Sequence, residues 1–289
     1  MSDKATMLDT LPTLTEVVRL HGLDANKKLG QHFLLDGNIT DKIARLTTPL
    51  DAVTVVEIGP GPGGLTRSLF KIGAKNILAI EMDNRFLPAL EDIGEASGQT
   101  LRVINDDGLR VNIAQHSSGE VKIAANLPYN VGTKMLTNWL TADPIFWTRA
   151  VLMFQKEVAE RVVAGVGDKA YGRLAILSQS VCQTHLAFVV PARAFSPPPK
   201  VDSAIVVLDV LDAPYPHLRE LGQLTAATFG QRRKMLRRSL KTFAAKHGLE
   251  PESWCEACGV NSQKRPEELE VSAFHAMTDY LVSHLQQAT

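Results

Sequence analysis

VVEIGPGPGGLT, residues 55–66, is the stretch on which the fold turns. A short apolar run leads straight into Gly59, Gly61, Gly63 and Gly64. The run reads as a buried strand, and the glycines let the backbone approach a ligand closely. The helical pattern GGLTRSLFKIG comes next, and a helix N-terminus favours polar or negative groups. Gly59, Gly61 and Gly64 also satisfy the G-x-G-x-x-G spacing of dinucleotide folds. The stretch by itself therefore admits two kinds of nucleotide-like cofactor.

Around it, strand-like runs alternate with helical patterns. The strand candidates cover residues 53–59, 76–82, 101–105, 121–126, 149–155, 185–190 and 203–210. Runs that are apolar on both faces, separated by helices, predict a mostly parallel α/β sheet of Rossmann-like type. The last two runs are joined by a loop only, which predicts an antiparallel edge strand. Beyond LDAPYPHLRE the alternation stops, and residues 217–289 read as helices, QRRKMLRRSLK lying within one of them. The proline-containing APYP marks a hinge. The expected organisation is a sheet domain over 1–212 and a smaller all-helical domain over 213–289. Residues 1–25 give no reading.

Composition narrows the class. The 289 residues are 45% apolar and 21% charged, with 31 basic and 31 acidic side chains. That is the composition of a soluble globular protein, and the net charge predicts no partner. No apolar run approaches the length of about 18 residues that a membrane helix needs. The N-terminus lacks a signal pattern, so a cytoplasmic protein with no membrane partner is expected. Cys182, Cys255 and Cys258 are few and odd in number, which suits a reducing compartment. The lone CEAC pair lacks the four ligands of structural zinc, and no metal is expected.

Three acidic positions end predicted strands: Glu81 in AIEMD, and Asp106 and Asp107 in INDDGL. A carboxylate at the second strand end can accept hydrogen bonds from ribose hydroxyls in either kind of cofactor. One at the third can accept an amino N–H of adenine. All stand where open α/β sheets bind ligands.

The fourth strand decides between the cofactors. VKIAA ends in Asn126, Leu127, Pro128 and Tyr129. A nicotinamide oxidoreductase would place a proton relay here, and nothing in this segment titrates near neutral pH. The residues suit methyl transfer to the exocyclic amine of adenine. That nitrogen's lone pair is delocalised into the ring. Acceptors on its two N–H groups favour localising the pair toward the donor. The Asn126 side-chain oxygen supplies one acceptor, and a backbone carbonyl of Leu127 or Pro128 the other. Pro128 fixes the chain direction. Tyr129 offers a ring for the base, and such stacking is worth ~1–3 kcal/mol.

NLPY resembles the N/D-P-P-Y/F motifs of adenine-N6 methyltransferases. KKLGQHFLLDGNI (27–39), VEIGPGPGGLT, QKEVAERVVA, KAYGRLAILSQ and AFSPPPKVDSAIV extend the resemblance in order from residue 27 to about 210. Together they are similar to the KsgA-type small-subunit ribosomal RNA adenine N6,N6-dimethyltransferases. The AYGR and FSPPPKVDSA blocks favour this branch over the large-subunit resistance enzymes. Intact motifs disfavour a binding-only relative.

The resemblance implies a class I methyltransferase sheet and S-adenosylmethionine as donor. It also implies two adjacent adenines near the 3′ end of small-subunit (16S) RNA as target, within a pre-30S particle. The implied donor site is Gln31, His32, Leu34, Gly59, Gly61, Glu81, Met82, Asp107 and Asn126. At position 32 the family often has Asn. The acceptor site expected is Asn126, Leu127, Pro128 and Tyr129. In AFSPPPKVDSA the prolines could be a stiff linker, but base-modifying enzymes commonly hold bases between rings, and the favoured reading places Phe195 opposite Tyr129 so that two rings sandwich the base. Lys200 is a further candidate for phosphate contact. A monomer is expected.

Residues 221–249 hold seven Lys or Arg and no Asp or Glu. Arg232, Arg233, Lys234, Arg237 and Arg238 are the expected RNA contacts. Helical spacing would put 234, 237, 238 and 241 on one face.

Overall fold

The computed structural model describes residues 4–20, 22–23 and 31–287. Positions 27–30 of the KKLGQHFLLDGNI motif lie outside the described residues. The strands are β1 (Phe33–Leu34), β2 (Val53–Ile58), β3 (Asn76–Ile80), β4 (Thr100–Ile104), β5 (Glu120–Asn126), β6 (Arg149–Gln155), β7 (Cys182–Val190), β8 (Phe195–Ser196) and β9 (Ser203–Val210). Seven of them form one sheet in the order β4-β3-β2-β5-β6-β9-β7. β4, β3, β2, β5 and β6 are parallel to one another. β9 runs antiparallel to β6, and β7 lies outermost on that side. β1 and β8, absent from the sequence reading, form a separate antiparallel pair with Phe33 opposite Ser196 and Leu34 opposite Phe195.

The order follows from burial. β2, β5 and β6 are buried along nearly their whole length on both faces, as central parallel strands must be. β4 is half exposed, as suits an edge. The chain crosses from β2 to β3 through the helix Gly64–Lys71 and then reverses sides after β4, so β2 and β5 flank the switch point. Ligands in such sheets bind at the carboxyl ends of the strands there.

The helix Gly64–Lys71 starts at Gly63, whose φ of +85° favours glycine. A Cβ on Gly63 would also come within 2.1 Å of Ile93 Cδ1. The N-terminal helices Lys4–Thr10 and Leu14–Leu20 are part of this packing. Leu8, Val17 and Leu23 are buried in the same core. Arg67 donates to the Pro12 carbonyl at 2.6 Å, and Lys71 pairs with Asp9 at 2.6 Å.

Internal contacts group the chain into two compact units. One comprises Met1–Leu136, Phe146–Ala159 and His185–Asp209; the other comprises Thr137–Ile145, Glu160–Thr184 and Val210–Thr289. This grouping does not coincide with a single cut after residue 212, because two segments from the middle of the chain join the helical unit. Their burial explains it: within that unit Tyr171 donates to the Leu269 carbonyl at 3.0 Å, and its ring meets Phe229 edge-on. The core of the helical unit includes Trp254, Phe274, Met277 and Leu281.

QRRKMLRRSLK does not continue a helix as expected. The helix Leu218–Phe229 stops at Gly230, residues 231–234 turn, and Met235 is extended (ψ 149°) before the short helix Leu236–Ser239. The cause is a competing set of backbone partners. Leu236 and Arg237 donate to the carbonyls of Lys264 and Ser262 instead of to the preceding turn. Lys234 therefore lies in the turn, apart from the helical residues 237, 238 and 241.

Candidate active site

A cavity of about 320 Å³ opens at the carboxyl ends of β2, β3 and β5, within the sheet unit. That is within the size range of small-molecule sites. Its lining brings together Gln31, His32, Leu34, Gly59, Gly61, Glu81, Met82, Asp106 and Asp107 with Asn126, Leu127, Pro128 and Tyr129. Parallel strand direction accounts for this. Each of the parallel strands ends on the same edge, so their terminal residues converge there, while Gln31, His32 and Leu34 arrive with the separate β1 segment.

The β3 end is the most constrained part. Glu81 is only 5% exposed. One carboxylate oxygen accepts from Gly61 N–H at 3.0 Å and the other from Asp83 N–H at 2.8 Å. These bonds aim the group and leave lone pairs for a diol. Burial raises its pKa, and the two backbone N–H groups oppose that rise. Asp83, which the sequence reading missed, also accepts from Gln31 Nε2 at 3.1 Å and so ties the segment after residue 30 to the β3 end. Arg85 grips Asp83 and holds its carboxyl at about 2.

Glu57, in mid-motif, is a second buried carboxyl on the cavity wall. Thr66 Oγ1 donates to it at 2.7 Å. Burial drives its pKa up to about 8, against the weaker pull of the Thr66 bond. The Glu81 charge adds a smaller upward push. At the β4 end, one Asp107 oxygen accepts from Leu109 N–H at 2.9 Å. Asp106 is exposed and accepts from Asp107 N–H.

The β5 end carries Asn126, Leu127, Pro128 and Tyr129. Asn126 Nδ2 donates to the His32 carbonyl at 3.4 Å, a long bond that turns the amide oxygen the other way. The Pro128 carbonyl already accepts from Val131 N–H at 3.1 Å and Gly132 N–H at 2.9 Å. Those two bonds fill its lone pairs, so a further N–H donor would be better met by the neighbouring Leu127 carbonyl. The Tyr129 hydroxyl is 2.7 Å from Ser203 Oγ, and burial raises its pKa. Nothing near NLPY in the sequence signals Ser203; it arrives by the sheet order.

Phe195 needs correction. Its ring is 4% exposed and belongs to the sheet-unit core, where β8 pairs with β1. It is absent from the cavity lining, so no Tyr129–Phe195 sandwich is present. The ring stacked on Tyr129 is that of His32, with centroids 5.7 Å apart and planes at 28°. Lys200 is exposed.

In the helical unit, Arg232 and Arg237 are not open cations. Arg232 pairs with Glu267 at 2.7 Å, and Arg237 with Glu252 at 2.9 Å. Arg233, Lys234, Arg238 and Lys241 are exposed. The segment lacks acids in sequence but has them in space. Cys255 is buried, and burial pushes its thiol up to about 12; Cys258 follows at about 11. Both stay protonated and unreactive at neutral pH. Among the described residues, no helix is long and apolar enough to cross a membrane.

Comparison with known proteins agrees with this geometry. The family model for ribosomal RNA adenine dimethylase matches residues 22–282. Ribosomal RNA small subunit methyltransferase A of Maricaulis maris is 52% identical over 274 residues, covering 93% of this chain and 95% of that protein. A dimethyladenosine transferase from Plasmodium falciparum superposes with a TM-score of 0.74 at 26% identity, covering 88% of this chain and 98% of that one. The 23S rRNA methyltransferase ErmE, at 23% identity, shares the fold with a TM-score of 0.63 over 86% of this chain and 99% of its own. A class I methyltransferase sheet, an amide-and-tyrosine array at the β5 end and a family match over nearly the whole chain lead to one assignment: the chain belongs to the ribosomal RNA adenine dimethylase family.

Proposed function

We propose that this chain transfers methyl groups from S-adenosylmethionine to the N6 amines of two adjacent adenines near the 3′ end of 16S ribosomal RNA. Four methyl groups are added in all, during small-subunit assembly in the cytoplasm. The observation that carries the reading is the meeting of Glu81 and the Asn126–Tyr129 array in one cavity. Homologues named small subunit methyltransferase A support the choice of RNA.

The residues present fit the donor. Glu81 would hold the ribose diol, Asp107 the adenine amine and the Gly59–Gly61 backbone the amino-acid end, with Gln31, His32, Leu34 and Met82 completing the wall. When bound, the donor supplies an electrophilic methyl on a sulfonium. The chain's own part is positioning. The Asn126 amide oxygen and the Leu127 carbonyl accept the two N6 hydrogens and direct the nitrogen's lone pair into the cavity. Tyr129 supports the base from one face. No side chain with a neutral-range pKa is needed at N6, because the proton departs after the methyl has arrived. The exposed cations Arg233, Lys234 and Arg238 contact RNA phosphates, and Arg232 and Arg237 chiefly hold the turn. The protein acts as a monomer on a pre-30S particle.

The test is transfer of labelled methyl from S-adenosylmethionine to undermethylated small ribosomal subunits, followed by nucleoside analysis. N6,N6-dimethyladenosine is the expected product. Donor binding with no transfer to subunits would sink the substrate assignment.

A further inference from the structure

His32 occupies the place where the base is expected to stack. Its ring and that of Tyr129 line the same cavity and are stacked on each other, so His32 covers one face of Tyr129 there. The stack is fastened at both ends. His32 Nδ1 lies 2.8 Å from the Pro197 carbonyl oxygen, which requires a hydrogen on that nitrogen. The Tyr129 hydroxyl is tied to Ser203. A base held between two rings needs a van der Waals contact of about 3.5 Å on each face, about 7 Å in all. The centroids are 5.7 Å apart. A base therefore cannot enter between them, and this face of Tyr129 becomes available only when His32 leaves.

We propose that His32 is a stand-in for the target adenine, stacked on Tyr129 until the base displaces it. This rests on the reading of Tyr129 as the base platform. It makes His32 a specificity-determining residue. An incoming base must out-stack an imidazole and release the Pro197 carbonyl. Adenine has the larger π face needed for that exchange, whereas a pyrimidine ring is closer in size to the imidazole it must replace.

The experiment is equilibrium binding of undermethylated small ribosomal subunits, without the methyl donor, so that a donor contact of His32 does not enter. Wild type is compared with His32→Ala, Tyr129→Ala and the double variant, each checked for folding by thermal melting. Removing the competing ring should tighten binding about fivefold, the size of one aromatic stack. The gain should vanish in the Tyr129→Ala background, where there is no ring to compete for. His32→Asn, which keeps an N–H for the Pro197 carbonyl, should show the same gain and serves if the alanine variant does not fold. Equal or weaker binding in both His32 variants, or a gain that survives in Tyr129→Ala, overturns the proposal. Equal binding by His32→Ala and by the double variant, which differ only in the Tyr129 ring with no competitor present, would instead overturn the platform reading, and this inference with it.

Discussion

In the sheet unit, the side chains proposed for chemistry stand at the carboxyl ends of β2 to β5, and strand direction alone brings them together. In the helical unit, the cations between 232 and 241 take their arrangement from partners elsewhere in the chain. Glu267 and Glu252, which pair with Arg232 and Arg237, lie 35 and 15 residues further on. The first region is specified by topology and holds its groups in the core, with Glu81 5% and Glu57 2% exposed. The second is specified by surface pairing. Substitutions should therefore act as large, local losses of function in the cavity and as small, graded changes in the basic segment.

The largest effect belongs to Asn126. Its amide oxygen acts only when N6 is being methylated, so Asn126→Ala should lower the rate of methyl transfer by about 10²–10³-fold. Donor affinity should change far less. Retention of more than a tenth of the wild-type rate on small subunits would move the chemical centre away from β5. Glu81 comes next, and it acts on the donor instead. Glu81→Gln should weaken S-adenosylmethionine binding by about tenfold or more, the worth of charge-assisted hydrogen bonds, with the rate at saturating donor little changed. Because burial raises the Glu81 pKa, its charged form is lost at a higher pH than that of an ordinary carboxylate as pH falls. Calorimetric titration of wild type should thus show donor affinity declining on acidification, and the Gln variant should respond less.

This contrast also explains what could be read from the sequence. Glu81, Asp107 and Asn126 each end an apolar run, and a parallel sheet has a single carboxyl edge, so their convergence was foreseeable. Phe195 was misplaced because its role depends on the β1–β8 pair, two residues on each strand, too short to show any periodicity. Ser203 and Asp83 went unseen because each acts through a contact that no local pattern announces. The helix Arg173–Val181 joins the helical unit, yet its apolar face looks like that of any crossover helix. The basic segment misled for a related reason. Absence of acids within a stretch says nothing of acids folded against it.

Glu57 tests how far burial governs the cavity through its effect on stability. Its pKa is about 8 when folded and near 4.5 when exposed. Between those values the unfolded chain is ionised while the folded chain holds its proton, so the folded state binds more protons. The contribution is fully present below about pH 4.5 and is lost as pH rises through about 8. Urea unfolding should accordingly show wild type losing stability across that window. Glu57→Gln, which can still accept from Thr66, should flatten the profile and be the more stable protein at pH 9, by roughly a few kcal/mol. Parallel pH profiles for the two proteins would mean that Glu57 ionises as a solvated group and that this wall of the cavity is wet.

The smallest effects are expected in the basic segment, and they separate its two kinds of arginine. Arg233→Ala and Arg238→Ala remove open cations. Each should weaken RNA binding a few-fold and lower the slope of log affinity against log salt by somewhat under one unit, the loss of about one phosphate contact. Arg232→Ala and Arg237→Ala remove partners of Glu267 and Glu252. Exposed pairs of this kind are worth about 0–1 kcal/mol, so stability should fall slightly and the salt slope hardly at all. Glu267→Gln sharpens the distinction further. It releases Arg232 without removing it, and if the arginine is masked by its carboxylate, RNA binding should tighten and the slope should steepen. A salt slope reduced equally by all four arginine substitutions would show that the ion pairs open on RNA and that the whole segment, not only its exposed half, carries phosphate.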